Sequence, residues 1–548
     1  MAWQQVYNPL NSAALSTLCA ALPVVVLFST LAILRMKAHW AAILGLISAL
    51  AVATVVFGMP PKMAALTAML GAGFGLLPIG WIVLHVIFLY RLTKEKGQFE
   101  VLQKSLTGIT RDSRLQLVLI AFAFGAFFEG AAGFGTPVAV TSAILIGLGF
   151  GPLQASGLSL IANTAPVAYG ALGIPIITLA AVSGLSEMDL SAMVGRQLPF
   201  FSILIPFWVV WAYAGFRGML GVWPAILVAG VAFAIPQFLL SNFHGPSLVD
   251  VISSICCLAA VKVFLMKWHP RQIWAINGHD ATVEARAEHG YTTQDLIRAW
   301  MPWLVLSILV FVWGLPQFKK YVNSMQGLIF TWPIPGLDKM IMRMPPVVAK
   351  PTAEAAAYTL NWVSATGTGI LLAGIISGIV MGCSIREMVR VYWETVKMVR
   401  FSLMTIAAML ALGFLTRFSG MDATLGLTFA MTGVFYPFFG TLLGWLGVAL
   451  TGSDTSSNVL FGSLQHISAV QIGVSPTLMC AANSTGGVMG KMIDAQSIVV
   501  ASTSTQWYGH EGEILRYVFF HSLALAALMG ILVLLQAYVY PFTELVVR

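Results

Sequence analysis

Two carboxylates stand alone in long stretches of uncharged sequence. Glu129 is the one charged residue in positions 115–186, and Asp454 the one in positions 423–490. A carboxylate at membrane depth costs several kcal/mol, so it usually faces a cavity and marks an ion or proton path. The chemistry on offer is proton uptake and release; the alternative is an interfacial side chain that reaches headgroup water. Asp454 lies in TGSDTSSN (451–458), between Gly452 and Ser456-Ser457-Asn458, and is the stronger candidate.

Side-chain amides and hydroxyls gather in ANTAPVAYGALGIP (162–175) and ANSTGGVMGK (482–491): Asn163, Thr164, Asn483, Ser484 and Thr485. Ser453 and Ser456 beside Asp454, and Gly135 in GAAGFGTP (130–137), complete the candidate substrate-binding groups. Lys491 can pair with Asp454 or draw in an anion, and Asp494, three residues on, is an equally good local partner. Arg196 and Arg516 read first as interface anchors at helix starts, with Arg196 a lesser candidate for pairing an anion. His85 and His466 read as packed and neutral, Trp81 and Tyr169 as packing or belt residues. The chain holds no H-E-x-x-H, no G-x-x-x-x-G-K-[ST] and no clustered His/Cys ligands, so no enzyme, metal site or cofactor is expected.

The elements that must position these groups follow from composition. The 548 residues are 58% hydrophobic and 9% charged, with mean hydropathy +0.86. Soluble globular proteins carry about 25% charged residues. Secreted, disordered and coiled-coil classes fall on the same numbers. Outer-membrane barrels fall because their strands alternate apolar and polar residues. What remains is an all-α polytopic membrane protein in the lipid bilayer. The net charge of +8 is scattered through short loops, as in the setting of membrane orientation. That pattern excludes a nucleic-acid partner, and no obligate protein partner is indicated. The five cysteines form no C-x-x-C pair.

Spanning helices are predicted at about 14–34, 39–58, 200–215, 222–240, 247–266, 299–315, 361–382, 401–417 and 517–541. A longer stretch at 63–90 is broken at Gly71, Gly73, Gly75 and Pro78. The basic segments 91–114 and 384–400 read as cytoplasmic connections, and the N-terminus as periplasmic. With the Gly- and Pro-punctuated segments the count is 12 to 14 spans. The chain divides into a first membrane half (1–266, with one repeat at about 63–215), connections at 267–360 with one spanning helix, and a second half (361–548). A shift of 320 pairs Asn163 with Asn483, Gly170 with Gly490 and Arg196 with Arg516. Matching helices run in opposite senses relative to basic loops, which implies inverted repeats. Gly/Pro breaks at membrane depth are tolerated only inside protein or beside water, and their free helix ends can hold a carboxylate. Substrate is expected between the breaks at Asn163 and Asn483.

EGAAGFGTPVAV (129–140), ANTAPVAYGALGIPI (162–176), GRQLPF (195–200), GWLGVALTGSDTSSN (444–458) and AANSTGGVMGKM (481–492) resemble the signature segments of the bacterial lactate permease family. WQQVYNPL, GQFEVL, RAWMPWL and LLQAYV extend the resemblance along the whole chain. Asp494-Ala495 departs from the Ser-Pro that the family pattern has after GKMI. The resemblance implies symport of L-lactate, D-lactate and glycolate with protons across the bacterial inner membrane. A sodium-coupled carboxylate transporter is the alternative, since Asn-Thr and Asn-Ser at broken helices can also build an oxygen cage for Na⁺.

Overall fold

A computed structural model describes the chain except for residues 1, 31–33, 35, 99, 102–104, 106–107, 132, 134–135, 275–291, 326, 349, 509 and 548. Gly135 and residues 275–291 of the connections at 267–360 therefore lie outside the described residues. Among those described, nine helices are long and apolar enough to cross a membrane. Pro152–Ala162 and Val167–Ser183, bent by 65° at a short break, make a tenth if they form one span. The shorter apolar helices Ala13–Phe28, Pro137–Gly147 and Thr366–Val380 bring the number to the expected 12 to 14 only if they cross too. The chain is an all-α polytopic membrane protein.

Two local expectations need correction. The stretch at 63–90 does not break at its glycines: helix Pro61–Phe74 runs through Gly71 and Gly73. The chain leaves helical geometry at Leu77 (φ −134°, ψ 119°), which precedes a proline in the sequence, a position disfavoured in the α region. Gly71 and Gly75 instead let the chain lie directly on the backbone of Leu410–Ala411 and Ile406–Ala407, where a Cβ would collide. Small residues at such crossings are how membrane helices pack closely.

The basic stretch 384–400 is also not a loop. It is the first half of one 35-residue helix, Ile385–Ser419, about 52 Å long. Ser384 caps it by accepting from the Glu387 N–H, and Gly420 ends it at φ 87°. Its charges run up against the end of Trp81–Glu95 in interhelix ion pairs: Arg91–Glu394 at 2.8 Å, Lys96–Glu387 at 2.9 Å and Arg390–Glu95 at 3.0 Å. Charge marked the end of the apolar stretch and not the end of the helix.

The connection at 316–360 holds a short helix, Pro316–Asn323, and four strands. Phe330–Pro333 pairs antiparallel with Ala357–Leu360. Ile341–Arg343 pairs with Thr352–Ala353 and, in parallel, with Trp3–Gln4 from the N-terminus. Arg417 joins this small β unit to the helices, meeting Glu354 at 2.6 Å and donating to the Val182 carbonyl at 3.0 Å.

Candidate functional site

Four helix pairs meet end to end around the candidate residues. They are Gly125–Ala131 with Thr136–Gly147, Pro152–Ala162 with Gly170–Ser183, Tyr436–Thr451 with Asp454–Ile472, and Pro476–Gly490 with Ala495–Ser504.

Glu129 is buried in the last turns of Gly125–Ala131 and accepts a hydrogen bond from Asn163 Nδ2 at 3.0 Å. Asn163 is available because Pro152–Ala162 ends there, with Pro166 close behind. Beyond the end, the chain turns left-handed through Ala171, Leu172 and Gly173 (φ 45°, 59° and 82°) before helix resumes. Glu129 Oε1 lies against Gly170, where a Cβ would stand 2.6 Å from it. Among the described residues, Asn163 Oδ1 and Thr164 Oγ1 are buried without hydrogen-bond partners.

Asp454 begins its helix at the other centre. Gly452 (φ 72°) ends Tyr436–Thr451, and Ser453 restarts the chain by accepting from the Ser456 N–H at 3.2 Å. The Asp454 carboxylate accepts from Ser484 Oγ and from Asn458 Nδ2 at 3.3 Å. Its other oxygen, Oδ1, is buried against the α-carbon of Gly487 and has no hydrogen-bond partner among the described residues. Each carboxylate thus rests on a bare glycine of a facing segment.

Asn483 differs from the expectation. It lies inside the continuous helix Pro476–Gly490, and the break comes later, at Lys491–Asp494. The glycines of ANSTGGVMGK are packing surfaces: Cβ atoms on Gly486 and Gly490 would overlap the carbonyls of Thr441 and Trp445, and one on Gly444 that of Asn483. The Asn483 side chain is used within the protein. Its Nδ2 donates to Asn458 Oδ1 at 2.9 Å, and its Oδ1 accepts from Gln465 Nε2 at 3.2 Å. Gln465 in turn accepts from Tyr436 Oη at 2.6 Å. The hydrogen bonds run from Tyr436 through Gln465, Asn483 and Asn458 to Asp454. Thr485 points elsewhere, donating to Gln197 Oε1 at 2.8 Å.

Lys491 donates to the Gly452 carbonyl at 2.6 Å and stands 3.4 Å from Asp494. It therefore braces the break below Asp454 while remaining within electrostatic reach of both Asp454 and Glu129. Arg196 is occupied outside this group, donating to Asn242 Oδ1 at 2.9 Å and the Leu545 carbonyl at 3.2 Å. Arg196 lies in the turn before Leu198–Leu220, and Arg516 inside Glu511–Tyr538. Among the described residues no hydrogen bond joins Asn163 to Asn483: one sits with Glu129, the other in the Asp454 network.

Sequence reasoning missed Asn458 and Gln465, although their spacing from Asp454 places all three along one helix. It also missed Asp250, a buried carboxyl at the start of an apolar helix. No group of three or more His, Cys, Asp or Glu among the described residues has metal-holding geometry. Two carboxyls can exchange protons, Lys491 can attract a small anion, and the Asn163 amide oxygen and Thr164 hydroxyl, unpaired among the described residues, can meet a hydroxyl group on it.

Residues 16–540 match the family described as L-lactate permease. Glycolate permease GlcA of Escherichia coli is 46% identical over 551 residues, spanning 98% of each chain. The L-lactate permease of Salmonella typhimurium is 45% identical over 543 residues, again 98% of each. That of Bacillus subtilis is 43% identical over 565 residues, covering 99% of this chain and all of the relative.

Proposed function

Because the chain belongs to the L-lactate permease family, we propose that it imports L-lactate, D-lactate and glycolate together with protons across the bacterial inner membrane, its N-terminus periplasmic. It is a transporter and not an enzyme. The observation that carries the reading is the burial of two carboxyls, Glu129 beside the helix end at Asn163 and Asp454 beside the one at Gly452, with Lys491 within electrostatic reach of both.

The substrate carboxylate lies toward Lys491 and the helix start at Ser453 and Ser456, where the positive end of the helix dipole favours an anion. Asn163 Oδ1 and the Thr164 hydroxyl, unpaired among the described residues, meet the 2-hydroxyl group. Asn483, Ser484 and Thr485 hold the frame. A protonated Asp454 lets the loaded site close without two bare carboxylates in a low dielectric, which would repel strongly. Release inside returns the proton to water and leaves Asp454 free to be held again by Ser484 and Asn458. Glu129, kept by Asn163, is the second titrating group. Two repeats of opposite orientation remain the organising plan. Their support is the shared order of helix, break, helix, helix, break, helix in 125–183 and 436–504.

The test is uptake of labelled L-lactate and glycolate into proteoliposomes with pH and sodium gradients imposed separately. Accumulation driven by an inward proton gradient is expected. Accumulation that requires sodium, with no response to pH, refutes the reading.

A further inference from the structure

Asp250 stands in the first turn of Val249–Leu265 and is 1% exposed. Among the described residues neither of its carboxyl oxygens has a hydrogen-bond partner. A charged carboxylate so placed would lose its hydration with nothing in return, so the group is held neutral. A plain helix-end role does not fit either, because no described N–H of that first turn donates to it.

Its neighbour explains its position. A Cβ on Gly130 would stand 2.6 Å from Asp250 Cβ and 3.0 Å from the Val251 nitrogen. Only a bare residue directly after Glu129 lets the two helices come this close. Glu129 is within electrostatic reach of Asp250, as is Tyr169, whose hydroxyl donates to the Ser191 carbonyl at 2.7 Å. The other segments packed closely there, Trp223–Phe243, Val118–Phe124 and Gly170–Ser183, contain no titratable residue. Glu129 is therefore the carboxyl partner within range.

We propose that Asp250 is a further proton-handling residue that exchanges its proton with Glu129. In the step, the O–H bond of the Asp250 carboxyl breaks as one forms on the Glu129 carboxylate, through one water that accepts a proton and passes one on. Negative charge moves from Glu129 to Asp250, and no other bond changes. The inference rests on the proton-coupled reading above and adds an entry or exit for its proton.

The experiment uses the full chain in proteoliposomes as wild type, Asp250→Asn and Asp250→Glu. It measures pH-driven L-lactate accumulation, lactate counterflow, the pH profile of the initial rate and the melting temperature in detergent. Asp250→Asn should lose roughly tenfold or more of pH-driven accumulation, keep counterflow near wild type, and flatten the pH profile. Asp250→Glu should restore accumulation with a displaced profile. An Asn variant with wild-type accumulation and profile overturns the inference. So does parallel loss of counterflow and accumulation with a lowered melting temperature that Glu does not rescue. If the Asn variant does not fold, Asp250→Glu decides: a displaced profile supports the relay and an unchanged one overturns it. Failure of the parent reading is seen separately, as a wild-type protein whose accumulation ignores pH.

Discussion

The glycines of 482–491 are read above as a packing surface, and replacing them one by one tests that reading. In Gly490→Ala the new methyl overlaps the Trp445 carbonyl and sits 3.0 Å from the Ala449 nitrogen. Gly486→Ala overlaps the Thr441 carbonyl in the same way. These obstacles are backbone, so no rotamer relieves them, and Tyr436–Thr451 must move away by roughly an ångström. Overpacking of this kind costs about 1–3 kcal/mol, and the upper end applies because both helices are buried at the contact. The gain in helix propensity on replacing Gly by Ala offsets only about 0.5–1 kcal/mol of that. Gly512 is the control: it lies in the helix Glu511–Tyr538 with open space around its α-carbon, so Ala there should be neutral or slightly stabilising. Gly487→Ala probes a different neighbour, since its methyl meets Asp454 Oδ1 and Val448. It should impair transport more than stability. The assay is the melting temperature in detergent beside lactate counterflow. Gly490→Ala and Gly486→Ala proteins that melt at or above wild type would refute the packing argument.

Asp454→Asn should keep lactate counterflow and lose pH-driven accumulation; full accumulation would remove Asp454 from the coupling. Asn483→Ala takes from Asn458 Oδ1 its donor, at about 1–3 kcal/mol, and leaves Gln465 Nε2 only the Gly440 carbonyl, so the melting temperature should fall. Asn163→Ala removes the hydrogen bond to the buried Glu129 carboxyl, so it should lower the melting temperature and weaken uptake, chiefly by raising KM. Arg114 and Asp112 form a pair at 2.6 Å with both side chains at most 2% exposed, and Arg114 also donates to the carbonyls of Gly218 and Gln272. Arg114→Met leaves the Asp112 charge unpaired and should cost about 3–5 kcal/mol. Adding Asp112→Asn, which keeps the helix cap, should recover part of that loss on thermal unfolding.

Composition alone placed the chain in the bilayer, because so little charge cannot coat soluble domains. Glu129 and Asp454 were legible for the same reason: a lone carboxylate in an apolar run is rare enough to notice. Glycine was the ambiguous letter. Gly452 ends a helix, whereas Gly71, Gly486 and Gly490 lie within helices against neighbouring backbone. Both uses need the same missing side chain, so only the neighbour tells them apart. Asn483 was placed at a break on that ambiguity. Asp250 was passed over because a charge at the edge of an apolar stretch looks interfacial until the helix beside it is known. The strands of 330–360, two to four residues long, are too short to show alternation. The 385–419 helix was split because basic residues mark the membrane boundary without interrupting backbone hydrogen bonding.

The central claim is that substrate and proton enter together. It is tested most directly by proteoliposomes with a trapped pH indicator and no imposed gradient. Addition of L-lactate or glycolate outside should acidify the lumen faster than in protein-free liposomes, with or without sodium, and Asp454→Asn should abolish the difference. Labelled lactate that enters at the wild-type rate while the lumen pH follows the protein-free control would contradict the account.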